Sequence, residues 1–367
     1  MSGDIPATVL TIDLDAIAAN YRLLCAKAAP AACAGVVKAD AYGLGVERVA
    51  PALAAAGCTD FFVAHIDEGI RLRGILTDAN IHVLNGLPSG LAPLFADNRL
   101  IPVLNSLAEI DDWSAFSALQ ETPLAADVHI DTGMSRLGLP PAELEVLAGE
   151  PGRLSAIRPA YLMSHLACAD EPGHPMNREQ LAAFRRVRAA LPGIPASFAN
   201  SPGIFLGGEY HFDLVRPGVA LYGVEPIPGQ SNRLAQVVLL EGKVLQIRDV
   251  DTPQTVGYGA THRIDRGGKI ATVAVGYADG YIRSLSNSGG AYFSGVRAPV
   301  VGLVSMDLIT LDVTDIPENL SRPGMPVELI GPNNPVERLA QDAGTIGYEI
   351  LTGLGARYHR VYKGGGA

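Results

Sequence analysis

Residues 34–64 read AGVVKADAYGLGVERVAPALAAAGCTDFFVA and contain one strand, one helix and a second strand. The β-branched run Ala34–Lys38 predicts a buried strand, and so does the apolar run Phe61–Ala64. Between them, Val46–Ala56 has apolar residues at helical spacing. The stretch therefore predicts one β-α-β unit of a parallel sheet.

The same alternation continues to about residue 225. Eight strands are predicted, at Ala34–Lys38, Phe61–Ala64, Ile81–Leu84, Ile101–Leu104, Ala126–Asp131, Ala160–Ser164, Ala196–Ala199 and Phe212–Arg216. Helical patterns lie between most of them, for example Val46–Ala56, Asp67–Gly74, Leu107–Leu119 and Arg178–Leu191. Eight repeats predict an α/β fold, a closed (β/α)8 TIM-type barrel over residues 13–228. A doubly wound open sheet has a similar periodicity.

The pattern changes after Gly229 to strands separated by Gly, Pro, Asp and Asn. They are Val237–Ile247, Lys269–Gly276, Ala298–Val304, Leu308–Val313 and Met325–Ile330, followed by one helical pattern at Val336–Thr352. This texture predicts a mostly β C-terminal domain over residues 229–367. We expect residues 1–12 to belong to it, with Ala7–Ile12 as a strand.

Composition limits the possible partners. The 367 residues carry 28 Lys and Arg against 38 Asp and Glu, a net charge of -10. This balance disfavours binding to nucleic acid or to anionic membranes, so we expect a small-molecule substrate. Mean hydropathy is +0.21. Even so, the long uncharged stretches contain several Pro and Gly residues and do not predict a membrane span.

Two features indicate the compartment. Met1–Asp15 has no basic residue before an apolar core, which is not the layout of a signal peptide, so we expect a cytoplasmic protein. The four cysteines, Cys25, Cys33, Cys58 and Cys168, have no metal-ligand spacing. We expect them to be reduced and buried, and we predict no metal site.

Lys38 is the first candidate for chemistry. Functional groups of an α/β barrel gather at the C-terminal ends of its strands, and Lys38 ends the first predicted strand. A partly desolvated lysine there has a lowered pKa, and its neutral amine can form a Schiff base. By position alone, the favoured interpretation is a solvated lysine in a strand-to-helix loop.

Two loops predict a phosphate site. Barrels often bind phosphate after strands seven and eight, where this sequence has Asn200-Ser201-Pro202-Gly203 and Arg216-Pro217-Gly218-Val219. Each loop alone is a common turn. A phosphorylated aldehyde that meets a lysine would explain both features, and pyridoxal 5'-phosphate is such a cofactor.

Six motifs then carry a resemblance to a known family. They are VKADAYG at 37–43, DTGMSRLG at 131–138, RPG at 216–218, GYGAT at 257–261, GYADGY at 276–281 and SMD at 305–307. In this order they resemble the motifs of alanine racemases, over nearly the whole chain. The resemblance implies a pyridoxal-phosphate-binding barrel followed by a β domain. It also implies interconversion of L- and D-alanine, which serves either the supply of D-alanine for peptidoglycan or the breakdown of alanine.

The resemblance also implies residue roles. Lys38 would bond to the cofactor and share acid-base work with Tyr258 on the opposite face of the cofactor-substrate adduct, a two-base mechanism suited to inversion at Cα. Arg216 would donate a hydrogen bond to the pyridine nitrogen without protonating it, which weakens the ring as an electron sink. The remaining implied contacts are Tyr42, Ser201, Gly218, Val219 and Tyr348 at the phosphate, His165 and Asn200 at the ring, and Arg136, Tyr277 and Met306 at the substrate.

The family's assembly is a head-to-tail homodimer, so Tyr258, Tyr277 and Met306 are expected to enter the partner's site. By composition alone, the favoured interpretation is that Tyr258 and Tyr277 are packing residues of the β domain, and only the motif match reverses it. The sequence departs from the family at His129, where a carbamylated lysine is common and orients the residue matching Arg136. Histidine cannot carry a carbamate, so we expect a bound anion, a water or another carboxylate in that role. Leu44, His262 and Leu303 are further departures, which bear on the entrance and on substrate affinity.

Other functions remain open at this point. A racemase of broader specificity, acting on serine, fits the same motifs. A pyridoxal-phosphate amino-acid decarboxylase shares the two-domain fold, but typically has an acidic residue where Arg216 stands. A non-catalytic carrier of the cofactor would lack the β domain that contains Tyr258.

Overall fold

A computed structural model of the chain describes residues 6–365. Parts of the predicted domains, residues 1–5 and 366–367, lie outside the described residues. The first domain is a parallel sheet that closes on itself, in the order β2-β10-β9-β8-β7-β6-β5-β4-β3 along the ring. Numbered in chain order, these strands are β2 (Ala32–Cys33), β3 (Gly35–Val36), β4 (Asp60–Val63), β5 (Asn80–Val83), β6 (Leu100–Leu104), β7 (Ala125–His129), β8 (Arg158–Met163), β9 (Ala196–Asn200) and β10 (Leu214–Arg216).

The barrel closes through its first strand. Strands β2 and β3 together occupy one position in the barrel and are interrupted at Ala34. On one side, Ala32 of β2 pairs with Leu214 of the last strand, β10. On the other side, Gly35 of β3 pairs with Phe61 of β4. The nine assigned strands therefore occupy eight positions, and the prediction of a barrel rather than an open sheet is confirmed. Strand β4 is buried along its whole length, as expected when helices cover a parallel sheet.

Helices surround the barrel, and some of them begin at a residue whose polar side chain caps the helix. The Asp13 carboxylate accepts a hydrogen bond from the Ala16 amide at 2.8 Å, and the Ser106 hydroxyl accepts one from the Glu109 amide at 3.2 Å. The helices of this domain, apart from a short left-handed turn described below, are Leu14–Ala28, Val46–Ala55, Ile66–Ile75, Ala92–Asp97, Leu107–Ser117, Pro141–Gly149, Pro175–Ala190 and Gly203–Leu206.

The second domain is built on an eight-stranded sheet. Its strands are β1 (Thr8–Asp13), β11 (Val238–Val250), β14 (Gly268–Val273), β15 (Gly290–Phe293), β16 (Val296–Pro299), β17 (Ile309–Asp312), β18 (Pro326–Ile330) and β19 (His359–Lys363). Strand β1 pairs antiparallel with β11 and parallel with β19. A separate hairpin joins β12 (Gln254–Val256) to β13 (His262–Ile264).

Several local predictions need correction. The helical pattern Val336–Thr352 forms two helices, Val336–Ala343 and Gly347–Thr352, because Gly344 ends the first in a left-handed conformation. Cys33 and Cys58 are buried, but Cys25 and Cys168 are half-buried, contrary to the prediction for all four. Among the described residues, no helix is both apolar enough and long enough to cross a bilayer.

Candidate active site

A cavity of about 530 Å³ lies at the C-terminal ends of the barrel strands and extends to the second domain. We call it the barrel-mouth cavity. Eleven residues predicted for the site, or noted as departures from the family, line it: Lys38, Tyr42, His129, Arg136, His165, Asn200, Ser201, Arg216, Gly218, Val219 and Tyr348. The fold therefore brings together candidate residues that are up to 310 positions apart in the chain.

The sequence predicted that Lys38 ends the first strand, and this prediction is wrong. That strand ends at Val36, and Lys38 begins a short turn in which Ala39, Asp40, Ala41 and Tyr42 all have φ between 53° and 55°. Four consecutive non-glycine residues in the left-handed region are uncommon and strained. The Glu68 carboxylate holds the turn by accepting a hydrogen bond from the Ala39 amide at 2.6 Å.

The amine of Lys38 faces the cavity and makes no hydrogen bond or ion pair with another described residue. Burial lowers the pKa of Lys38 and the charge of Arg136 lowers it further, while Glu68 opposes the shift. A larger fraction of this amine is therefore neutral than for an exposed lysine, which favours bonding to a carbonyl or transfer of a proton.

Arg216 lies at the end of the last barrel strand with its guanidinium buried. One terminal nitrogen donates to the Ser197 hydroxyl at 2.5 Å and the other to the Ser164 carbonyl at 2.6 Å. Burial lowers the pKa of Arg216 to about 10, against the opposing charge of Asp127. The guanidinium is therefore protonated at neutral pH and acts only as a donor.

The loops after strands β9 and β10 form a small cradle. The Ser201 hydroxyl oxygen accepts hydrogen bonds from the Gly218 amide at 2.8 Å and the Ala220 amide at 3.3 Å. This leaves the hydroxyl hydrogen of Ser201 available to a ligand. A Cβ at Gly218 would lie 2.2 Å from the Tyr42 hydroxyl oxygen, so only glycine leaves room for that hydroxyl. Burial raises the pKa of Tyr42, which keeps its phenol protonated as a donor.

Two histidines of the cavity are neutral at physiological pH. Burial and then the charge of Arg216 lower the pKa of His165 well below its usual range. The same two causes lower the pKa of His129 to about 4. His129 Nδ1 lies 2.7 Å from the side-chain oxygen Oδ1 of Asn105. The side-chain nitrogen Nδ2 of Asn105 donates to the Val103 backbone carbonyl at 2.8 Å, which fixes the orientation of the side-chain amide. His129 therefore carries its proton on Nδ1 and keeps Nε2 as an acceptor.

The electrostatics of the cavity favour anions. Lys38, Arg136 and Arg216 line it, and no Asp or Glu is among its lining residues. Arg136 has no hydrogen bond or ion pair with any residue in the range 6–365, so its guanidinium is free to bind a carboxylate. The cavity therefore suits a ligand that carries a phosphate and a carboxylate.

Three predicted site residues lie elsewhere. Tyr258, Tyr277 and Met306 belong to the second domain, are not among the residues that line the cavity, and are 70%, 41% and 53% exposed. Within one chain they are surface residues. A single copy of the chain therefore brings Lys38 and the phosphate cradle together but does not bring Tyr258 to them.

Sequence reasoning missed two residues that support the site. Glu68 lies in the first turn of the helix Ile66–Ile75, and no spacing in the sequence connects it to Lys38. Asn105, which sets the tautomer of His129, directly follows strand β6. Its position at the C-terminal end of a predicted strand was a signal that could have identified it.

Comparison with known proteins adds independent findings. The family models described as "Alanine racemase, N-terminal domain" and "Alanine racemase, C-terminal domain" match residues 12–226 and 237–362. The alanine racemase of Rhodospirillum rubrum is 54% identical over 363 residues, which cover 98% of this chain and 97% of that protein. The structure of alanine racemase from Bartonella henselae with covalently bound pyridoxal phosphate has a TM-score of 0.94 and 46% identity, covering 97% of this chain and 99% of that one. The biosynthetic alanine racemase of Pseudomonas aeruginosa has a TM-score of 0.91 and 35% identity, covering 98% of this chain and all of that one.

Proposed function

Because this chain belongs to the alanine racemase family, we propose that its barrel-mouth cavity holds pyridoxal 5'-phosphate bonded to Lys38, and that Lys38 and Tyr258 exchange the Cα proton of alanine. The protein is a pyridoxal-phosphate-dependent alanine racemase, an isomerase that interconverts L- and D-alanine.

The residues of the cavity fit this cofactor. Ser201, Gly218, Val219 and the phenols of Tyr42 and Tyr348 surround the cradle, where a phosphate would accept their hydrogen bonds. Three cations and no carboxylate line the cavity, so phosphate and substrate carboxylate would not meet a like charge there. This combination of a partly neutral lysine with a phosphate cradle is the observation that carries the proposal.

When bound, pyridoxal phosphate supplies an aldehyde that bonds to amines and a conjugated ring that delocalises negative charge from Cα. Arg216 would donate to the ring nitrogen while remaining protonated itself, since burial lowers its pKa only to about 10. A donor that keeps its own proton leaves the ring nitrogen uncharged and limits how long negative charge persists at Cα. This arrangement favours return of the proton over transamination or decarboxylation.

Inversion needs proton transfer on two faces of the substrate. Because the pKa of Lys38 is lowered, more of its amine is neutral and able to take a proton than in an exposed lysine, and its ammonium form gives a proton more readily. Tyr258 would work from the opposite face, taking the proton from L-alanine while Lys38 gives one to the other side. Arg136 and the backbone at Met306 would hold the substrate carboxylate, and Tyr277 would limit the space for the side chain.

Tyr258, Tyr277 and Met306 would come from a second copy of the chain. Their exposure, 70%, 41% and 53%, and their absence from the cavity lining support a head-to-tail homodimer in which each cavity is completed by the partner. A monomer would then be inactive. A serine racemase of the same fold remains the second candidate, because no side chain described at the cavity excludes a hydroxymethyl group.

The decisive measurement is racemisation of L-alanine in deuterated water. Optical rotation should fall to zero while deuterium enters Cα and no carbon dioxide is released. Decarboxylation, or no exchange at Cα, would refute the proposal. Lys38→Ala should remove the visible absorbance of the bound cofactor, whereas Tyr258→Phe should keep that absorbance and lower turnover from L-alanine by about 100-fold or more.

The shared site is tested with hybrid dimers, made by co-expressing two differently tagged chains. A Lys38→Ala chain paired with a Tyr258→Phe chain has one cavity with both residues intact. The hybrid should regain about half of the wild-type activity per dimer, although the Lys38→Ala homodimer is inactive and the Tyr258→Phe homodimer is about 100-fold or more slower than the wild type. A hybrid as inactive as its parents would refute the shared site.

A further inference from the structure

Two loops of the second domain contact each other through their backbones. The Tyr277 amide donates to the Ser305 carbonyl and the Ala278 amide to the Met306 carbonyl, both at 3.0 Å. A Cβ at Gly276 would lie 2.3 Å from the Met306 carbonyl oxygen, so the approach of the two loops requires glycine there. The backbone contacts therefore join the two loops into one unit, and this unit carries the exposed side chains of Tyr277 and Met306.

One arginine from a distant part of the chain joins both loops. Arg357 Nε lies 3.0 Å from an oxygen of Asp279, and Arg357 Nη1 lies 2.7 Å from an oxygen of Asp307. We call this arrangement the Arg357 bridge. Asp279 belongs to the Tyr277 loop and Asp307 directly follows Met306. The planar guanidinium matches this geometry because its donors point in fixed directions to two carboxylates at once.

The bridge is anchored at its buried end. The Asp279 side chain is only 5% exposed, and its second oxygen accepts a hydrogen bond from the Gly276 amide at 2.9 Å. Its backbone carbonyl accepts a hydrogen bond from the Gly355 amide at 2.8 Å. Arg357, two residues further on, is thus held against the same loop, whereas the Asp307 end of the bridge is 54% exposed.

We propose that Arg357 is a positioning residue for substrate binding, which fixes the two loops that place Tyr277 and Met306 in the partner's barrel-mouth cavity. This inference rests on the proposed function, because it requires that the two residues act in the neighbouring subunit. Arg357 contacts neither substrate nor cofactor in this scheme. It sets the position of the carboxylate-binding backbone at Met306 and of the phenol that limits the side-chain space.

Loss of the bridge should weaken substrate binding more than it slows proton transfer. Arg357→Lys keeps the charge, but a single ammonium cannot reach both carboxylates with the same geometry. Its KM for alanine should rise about tenfold while kcat changes less than about twofold, since Lys38 and Tyr258 are untouched. The ratio of kcat/KM for alanine to kcat/KM for serine should fall, because the position of Tyr277 becomes less restricted.

A second variant keeps the test interpretable. Complete removal of Arg357 leaves the buried Asp279 carboxylate unpaired and could unfold the domain. Asp307→Ala cuts only the exposed end of the bridge and should give the same change in KM with an unchanged melting temperature. Lys269→Ala is the matched control, since Lys269 also joins two carboxylates of this domain, Asp249 and Glu318, but lies outside the two loops.

Amide hydrogen exchange gives a readout that does not depend on turnover. In Asp307→Ala, the Tyr277 and Ala278 amides should exchange about tenfold faster than in the wild type, because the loop contact opens more often. Lys269→Ala should leave their exchange and the KM unchanged. Unchanged exchange together with unchanged KM in both bridge variants would overturn the inference.

Hybrid dimers separate this inference from the proposed function. In a Lys38→Ala chain paired with an Arg357→Lys chain, the only cavity with Lys38 receives its loops from the chain with an intact bridge. This hybrid should have the wild-type KM. A KM as high as that of the Arg357→Lys homodimer would overturn the inference, provided that the Lys38→Ala and Tyr258→Phe hybrid is active. If that second hybrid is inactive, the shared site itself fails, and this inference fails with it.

Discussion

His82 Nδ1 lies 2.6 Å from a carboxylate oxygen of Asp127 inside the barrel, and both residues have no exposed surface. The other ring nitrogen of His82 lies 3.4 Å from an oxygen of Asp60. Burial alone would lower the pKa of His82, but Asp127 and then Asp60 overcome this effect and raise the pKa to about 9. The barrel interior therefore holds an imidazolium between two carboxylates at neutral pH.

This ion cluster lies directly beneath the active site. The His82 ring stacks on Phe62 at 4.3 Å between centroids, and the Arg216 guanidinium carbon lies 5.9 Å from the centre of the same Phe62 ring. Asp127 also opposes the effect of burial on the pKa of Arg216. The cluster therefore supports the guanidinium that we assign to the cofactor nitrogen, both by packing and by charge.

Replacement of His82 should destabilise the barrel strongly. His82→Ala leaves the Asp127 and Asp60 carboxylates without their cation, and breaking a buried ion pair by removing one partner costs about 3–5 kcal/mol. The free energy of unfolding from urea titration at neutral pH measures this loss. Arg185→Ala, which breaks an exposed pair with Glu209, should cost less than about 1 kcal/mol. Equal losses in the two variants would contradict the assigned charge state.

The stability of the fold should fall on both sides of neutral pH. The folded pKa of His82, about 9, is above its ordinary value of about 6.5, so its stabilisation is complete below about pH 6.5 and is lost as pH rises through about 9. The contribution of His129 to stability has the opposite pH dependence, because its folded pKa of about 4 lies below the ordinary value. It should reduce stability as pH falls from about 6.5 to about 4.

Urea midpoints at acid, neutral and alkaline pH check this profile. A His82→Gln variant should lose most of the alkaline decline relative to its own neutral value, since glutamine does not titrate. The acid decline should persist in that variant, because His129 is unchanged. An alkaline decline equal to that of the wild type would show that His82 is not the group responsible.

Gly218→Ala should lower affinity for the cofactor without unfolding the protein. The added Cβ would lie 2.2 Å from the Tyr42 hydroxyl oxygen, so that phenol must leave the cradle. We expect the Kd for pyridoxal phosphate to rise about tenfold or more, measured by fluorescence titration of the apoenzyme. Gly74→Ala is the control, because a Cβ at Gly74 meets no atom within 4 Å. Equal affinities in the two variants would contradict the cradle.

Regular features of the fold could be predicted from the sequence. The alternation of apolar runs with helical patterns identified all eight strand positions of the barrel, since buried parallel strands are short and continuously apolar. The left-handed turn after Lys38 could not be predicted, because Ala, Asp and Tyr rarely adopt positive φ. The tertiary contact between Glu68 and the Ala39 amide, which supports that turn, leaves no periodic signal.

The second domain was less predictable for a different reason. Strand β19, HRVYK, is short and mostly polar, and its pairing with Thr8–Asp13 joins the two ends of the chain. Such pairings depend on tertiary contacts rather than on local pattern. For the site, the ends of predicted strands suggested Lys38, the two loops and Arg216 as candidates, whereas Tyr258 and Tyr277 became candidates only through the family motifs. In the proposed dimer their positions would depend on a second chain, which neither the periodicity of the sequence nor the fold of one chain describes.

The last prediction concerns His129, where the family commonly has a carbamylated lysine. His129 holds its proton on Nδ1 through Asn105, and among the described residues no donor reaches its Nε2. We expect this lone pair to accept a hydrogen bond from Arg136 when the substrate binds, so that the imidazole replaces the carbamate. An imidazole cannot form the lysine carbamate, and removal of bicarbonate should therefore leave activity unchanged.

Two substitutions test which ring nitrogen matters. His129→Gln can place an acceptor near the position of Nε2, whereas His129→Asn can keep only the donor to Asn105. The glutamine variant should retain a KM for alanine within about threefold of the wild type, and the asparagine variant should lose about tenfold or more, in line with one lost charge-assisted hydrogen bond. If the KM for alanine rises more in the glutamine variant than in the asparagine variant, the prediction is wrong. The reaction would then require the contact of residue 129 with Asn105 and not an acceptor for Arg136.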